Sequence, residues 1–171
     1  MRGLPRKSRW PFLLAAGLAV SCGTSSIKPI AAADPEVSCP GGMLAWNLQI
    51  SDQRADRRDS SHLVSLLEDS FSKSFPGCKW TSAPGADAAT ITIEIHRFGA
   101  RVDENLWEAA AEWTVSAKDP SGRPLTEFQA ESIVSRPNYR GYSNDVEALR
   151  NAFEQAMTRT LAGLRAISRS S

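Results

Sequence analysis

The chain has little of what enzymes and nucleic-acid binders are built from. It contains two histidines, His62 and His96, in 171 residues, and neither stands in a metal-ligand spacing such as His-Glu-x-x-His. Its three cysteines form no Cys-x-x-Cys pair. Gly-x-Ser-x-Gly and the phosphate-binding glycine loops are missing, so neither a nucleophile elbow nor a phosphate cradle is encoded. No charge of one sign dominates. The formal net charge is +1, but Arg2, Arg6, Lys7 and Arg9 all precede the first apolar run, and without them 16 basic residues face 19 acidic ones. That slightly acidic remainder offers no electrostatic footing on nucleic acid or on an anionic membrane surface. There is no internal repeat, and no apolar run reaches the roughly 20 residues that cross a bilayer as a helix. These absences predict a chain without enzymatic activity, cofactor, metal or nucleic-acid partner.

What is present is alternation. In the middle of residues 90–134, Trp107, Ala109, Ala111, Trp113, Val115 and Ala117 fall on one side and Glu108, Glu112, Thr114, Ser116 and Lys118 on the other. A half-buried strand requires this period of two. Ile91, Ile93 and Ile95 repeat it one segment earlier, and Phe128, Ala130 and Val134 one segment later, opposite Glu127, Gln129 and Glu131. Leu44, Trp46, Leu48 and Ile50 predict a first strand. Polar turns are expected at 99–105 and at Asp119-Pro120-Ser121-Gly122, so the last three strands form a meander. Leu63, Leu66, Leu67, Phe71 and Phe75 are spaced for a helix with Ser60 or Ser61 as N-cap and Pro76-Gly77 as its stop. Val146, Leu149, Phe153, Ala156, Met157, Leu161 and Leu164 write a second helix, with Asn144 and Glu147 as a capping box and Gly163 in its last turn. Residues 51–59, 79–89 and 135–143 are expected as loops, the first of them a run of solvated charge.

The order β-α-β-β-β-α predicts an α+β two-layer sandwich, in which two helices cover one face of a four-stranded, largely antiparallel sheet. With 171 residues the folded body is one domain, expected over 43–168.

Residues 1–21 carry a basic flank, an apolar run of about 11 residues and small residues at its end, the parts of a secretory signal. Leu18-Ala19-Val20-Ser21-Cys22 resembles the lipobox of bacterial lipoproteins. That resemblance implies cleavage before Cys22 and lipidation of Cys22; the alternative is an ordinary signal with an incidental cysteine. Gly23 after the cysteine, rather than Asp, implies forwarding to the outer membrane under the enterobacterial sorting rule. Residues 22–42 lack apolar period and are rich in small residues and proline, so they are expected as a tether reaching up to some 60 to 70 Å. With Cys22 assigned to lipid, Cys39 and Cys78 remain. Export places them in an oxidising compartment, and topology puts both at the same end of the domain, so a disulfide between them is expected.

With the lipobox, the element order and Trp-Asn-Leu-Gln-Ile-Ser51-Asp52-Gln53-Arg54 at the first strand and its exit, the chain resembles the YajG-type envelope lipoproteins, and the element order is also that of the LptE-like lipoproteins. The resemblance implies a non-enzymatic accessory lipoprotein on the periplasmic side of the outer membrane. No apolar strand runs directly out of the lipidated cysteine, as it does in LptE-like chains, so the likeness does not extend to the partner of that group. The outward sheet face carrying Glu94, His96, Glu112, Glu127 and Glu131 is the expected partner surface, with a solvated acidic face as the plain alternative. A second reading is a carrier of a small apolar or lipid ligand, held in a slot beside the inward Trp46, Trp107 and Trp113, where Ala109, Ala111, Ala117 and Ala130 leave room. The plain alternative is a dry, interdigitated core.

Overall fold

A computed structural model of the chain describes residues 27–30, 39–43, 45–81, 87–138 and 144–167. The elements are β1 (Ala45–Asp52), α1 (Ser60–Ser74), β2 (Lys79–Thr81), β3 (Ala89–Asp103), β4 (Leu106–Lys118), β5 (Pro124–Pro137) and α2 (Asn144–Ile167). One sheet runs in the order β2-β1-β3-β4-β5, and both helices pack on its apolar side.

The alternation carries through into the register. Ile91, Ile93 and Ile95 stand opposite Ala117, Val115 and Trp113, and these opposite Thr126, Phe128 and Ala130. All three isoleucines and Trp113 are fully buried. The hairpins are longer than expected: β3 and β4 pair out to Asp103 and Leu106, and β5 runs to Pro137, through parts of two expected loops.

Two corrections concern the sheet. It has five strands, not four, and it is mixed: β1 pairs in parallel with both β2 and β3, while β3, β4 and β5 are antiparallel. The cause is α1, whose crossover returns the chain to the start of β1 and so makes the next strand its parallel neighbour. Lys79-Trp80-Thr81, expected as loop, is that neighbour. Its inward Trp80 meets Phe71 edge-on, ring centroids 5.8 Å apart, and Phe75 at 6.5 Å.

The helices bury the stripes their spacing predicts. In α1 these are Leu63, Leu66, Leu67 and Phe71, and in α2 Leu149, Phe153, Ala156, Met157, Leu161 and Leu164. Burying a side chain such as Phe153 stabilises by about 1.5–3 kcal/mol. Asp145 and Glu147 in the first turn of α2 and Arg165 in the last complement its dipole. The expected capping-box residues also reach β5: Asn144 Nδ2 donates to the Pro137 carbonyl at 2.5 Å, and Glu147 pairs with Arg136 at 3.4 Å. Buried Ala109, Ala111, Ala117 and Ala130 let α2 lie close on β4 and β5. Gly163 serves the same purpose, since Phe128 occupies the place of its missing Cβ. On the far side of β5, Arg159 of α2 donates to the Glu131 carbonyl.

Cys39 and Cys78 are joined by a disulfide, with their Cα atoms 5.1 Å apart. It ties the chain before β1 to the chain before β2. Residues 22–42, expected as a tether, are not free throughout. Ile27 is 3% exposed and belongs to the core, Ile30 packs against that core, and Pro40–Gly42 form a 3-10 turn. The cause is two isoleucines that find the helix layer, where the Ile30 N–H donates to Ser70 Oγ at 3.2 Å. Cys22 and the expected signal lie outside the described residues.

Candidate functional site

The side of the sheet away from the helices is built by the outward residues of β3, β4 and β5. Glu94, Thr114 and Gln129 form one cross-strand row, and Arg97, Glu112 and Glu131 the next. Glu127 stands opposite Ser116. The five residues expected to share this face therefore do lie on one side of three neighbouring strands. Gln129 Nε2 donates to Glu112 Oε1 at 2.7 Å, and His96 Nε2 lies 2.9 Å from Thr114 Oγ1.

Arg97 and Arg101 also belong to this face and escape the sequence reading. Strict alternation from Ile95 would turn both inward. Instead the register slips between Ile95 and Arg97, with His96 as the extra residue of a bulge. The phase inverts there, so Phe98 and Ala100 point inward and the two arginines outward. Phe98, three rather than two residues after Ile95, is the signal that could have revealed it. Both guanidiniums converge on Glu108 Oε1, at 2.9 Å from Arg97 and 3.0 Å from Arg101. A shallow recess of about 200 Å³ opens at Arg97, Phe98, Gly99, Ala100, Arg101 and Glu108. Beyond it, Gly99, Ala110 and Ile133 form a row, with Ile133 half exposed. The face is thus a mixed polar surface with an apolar spot, rather than a uniformly acidic one.

The charged exit of β1 is also corrected. Arg54 is 8% exposed, not solvated. Its Nε and Nη2 hold both oxygens of Asp52 at 2.9 and 2.7 Å, Nη2 reaches Asp59 Oδ1 at 2.8 Å, and Nη1 donates to the Phe98 carbonyl at 3.1 Å. That last bond reaches β3 just past the bulge, and Gln53 N donates to the Ile95 carbonyl just before it at 2.8 Å. Burial raises the Asp52 carboxyl, but hydrogen bonds from the Arg54 side chain, Ser60 and the Arg54 N–H outweigh it and hold the group down at about 2. Asp59 and Ser60 are thereby occupied, so Asp59 stands at the N-cap of α1 without a side-chain capping bond. This cluster locks α1 to the sheet. By contrast, Arg58 and Asp56 pair at 2.6 Å on the open surface.

At the expected ligand slot, Trp113 and Trp46 are fully buried and Trp107 is partly exposed. Trp113 Nε1 donates to Thr160 Oγ1 at 2.8 Å, and its ring centroid lies 6.0 Å from that of Phe153. Side chains of α2 occupy the space beside it. A separate open recess of about 250 Å³ lies by Leu48, Glu68, Ser72, Trp80 and Thr81. Among the described residues, no group of three or more His, Cys, Asp or Glu is placed to hold a metal ion, and no helix is long and apolar enough to cross a membrane.

No protein-family model and no curated protein matches the sequence. Solved structures resemble the fold. A protein described as a neuraminyllactose-binding hemagglutinin homolog from Helicobacter pylori aligns with a TM-score of 0.50 at 8% identity, over 85% of this chain and 100% of that one. Lipoprotein GNA1162 from Neisseria meningitidis aligns at 0.45 and 9% identity, over 69% and 97% of the two chains. A minor lipoprotein from Acinetobacter baumannii aligns at 0.37 and 13%, over 74% and 94%. At these identities the likeness is one of fold alone.

Proposed function

We propose that this chain is a lipoprotein of the bacterial outer membrane, anchored through Cys22 on the periplasmic side, that works without chemistry of its own by docking an envelope protein on the outer face of its sheet. The YajG-type and LptE-like resemblance of the sequence agrees with this reading. The observation that carries it is the one-sided build of the body. Both helices lie on one side, while three long strands leave Glu94, His96, Arg97, Glu112, Glu127 and Glu131 uncovered on the other. Charged and polar side chains in fixed cross-strand rows set encounter rate and specificity more than raw affinity.

The test places a photo-crosslinking residue at Thr114 in cells expressing the full chain and, separately, at exposed Ser61 on α1. A discrete adduct with an envelope protein from Thr114 alone, weakened by salt and lost in a Glu112→Lys, Glu131→Lys variant that still folds, supports docking on this face. Equal labelling from both positions, or an adduct indifferent to the reversals, returns the face to plain solvation. Mass spectrometry of the membrane-extracted chain checks the anchor: it should begin at an acylated Cys22.

A further inference from the structure

We infer that the anchored body rests directly against the membrane, with the α1 layer toward the lipid headgroups and the free face of β3, β4 and β5 turned away from them. This deepens the proposed function and rests on Cys22 being the anchor. Its basis is where the packed chain begins. Ile27 lies in the core, and one hydrogen bond fixes the segment after it to α1: the Ile30 N–H donates to Ser70 Oγ, which is held in place by its own donation to the Leu66 carbonyl within the helix at 2.7 Å. Ser70 is itself buried. The span that can act as a tether is therefore not some twenty residues but the short run from Cys22 to Ile27.

Five residues reach at most about 17 Å, whatever path they take. A helix with its side chains is about 10–12 Å across. The bilayer surface is thus held within about one and a half helix widths of Ile27, which belongs to the core between sheet and helices and is followed by a segment bonded to α1. The outer face of β4 and β5 is separated from that point by the sheet itself.

The solvent side of α1 offers nothing for insertion, and with two acids against one lysine it adds no charge attraction to anionic headgroups, so the closeness comes from the leash. Ser61, Ser65, Glu68, Asp69, Ser72 and Lys73 are its exposed residues, and no large apolar side chain is among them. The acyl chains supply the affinity, and the short leash supplies the orientation. In that orientation the candidate docking face looks toward the periplasm, where a partner can reach it.

The experiment uses the full-length acylated protein in vesicles of phosphatidylethanolamine and phosphatidylglycerol that contain a headgroup nitroxide lipid. A fluorescent amino acid is placed at exposed Asp69 of α1 or at exposed Gln129 of β5. Quenching should be several-fold stronger at Asp69. A spacer of about 20 Gly/Ser residues inserted before Ile27, with a reach of about 25 Å, should remove most of the difference. Equal quenching at the two positions, or stronger quenching at Gln129, in acylated and vesicle-bound protein overturns the orientation and leaves the anchor intact. A chain that carries no acyl group and stays off the vesicles overturns the anchor, and the orientation with it.

Discussion

The Phe128 ring lies so close over Gly163 that a Cβ on the glycine would sit 2.4 Å from Cζ. Glycine in an α-helix ordinarily costs about 1 kcal/mol relative to alanine. Here the cost permits α2 to seat on β5. Gly163→Ala should therefore lower stability by about 1–3 kcal/mol through overpacking, against its helix propensity. In a Phe128→Ala background the same change should stabilise. Denaturant midpoints of the four variants in a double-mutant cycle check the reversal.

Arg54 and Asp52 should behave as a buried ion pair whose removal leaves a charge without a partner. Arg54→Ala should cost about 3–5 kcal/mol, since it strands the Asp52 carboxylate and the Phe98 carbonyl. The pair also sets an acid limb. Asp52 titrates at about 2 in the folded chain against an ordinary 3.8. A depressed folded value adds stability that is present above the unfolded value and lost as pH falls through about 4 toward 2. The amount is about 2 kcal/mol. Urea unfolding from pH 6 to 2.5 should show that loss, and Asp52→Asn should flatten it at reduced stability. Asp56→Asn, in the exposed pair, should leave the curve nearly unchanged.

The contrast between these two aspartates shows where sequence reading reaches its limit. Residues 90–134 could be placed because alternation is a local property, written in each strand separately. The stripes of α1 and α2 were legible for the same reason. Arg54 was not, because Asp-Gln-Arg among other charges looks like a wet loop until the Phe98 carbonyl arrives from 44 residues away. Trp80 gives no strand signal in a three-residue element that is defined by pairing with Ala45, Trp46 and Asn47 and by the rings of Phe71 and Phe75. Ile27 and Ile30 stand in a proline- and serine-rich stretch with no period, and Ile30 finds its hydrogen-bond partner, Ser70, 40 residues away on α1. The five residues of the expected docking face share one side of the sheet, but the bulge that adds Arg97 and Arg101 to them leaves no mark in strict alternation.

The Cys39–Cys78 bridge closes a loop with a sequence separation of 39. In the chain-entropy model such a loop is worth about 4 kcal/mol. Replacing both cysteines with serine should lower the unfolding free energy by an amount of that order. Thiol labelling of the oxidised mature protein under denaturing conditions should find neither Cys39 nor Cys78 reactive, and reduction should expose both.

Ile27 offers a test of the packed N-terminal segment that needs no membrane. Truncating a fully buried isoleucine costs about 2–5 kcal/mol, whereas one in a free tether costs nothing. Ile27→Ala in the unacylated body should fall in the first range, and deleting residues up to 30 should do at least as much harm. Chemical denaturation of the two variants separates the cases.

The contact between Arg159 and the Glu131 carbonyl bears on self-association. β5 is an edge strand of fourteen residues, and a long edge with unpaired amides and carbonyls is a template on which another molecule's strand can grow. Pro124 and Pro137 end it with residues that have no N–H to offer, and Arg159 takes up a carbonyl near its middle. An incoming strand would have to displace that guanidinium before it could zip along the edge. Were the body anchored to a membrane as proposed, its copies would meet one another far more often than the same number in bulk, and a blocked edge would count most there. Arg159 thus stands across the path of fibre-like stacking, at a place that touches neither the core nor the opposite face of the sheet.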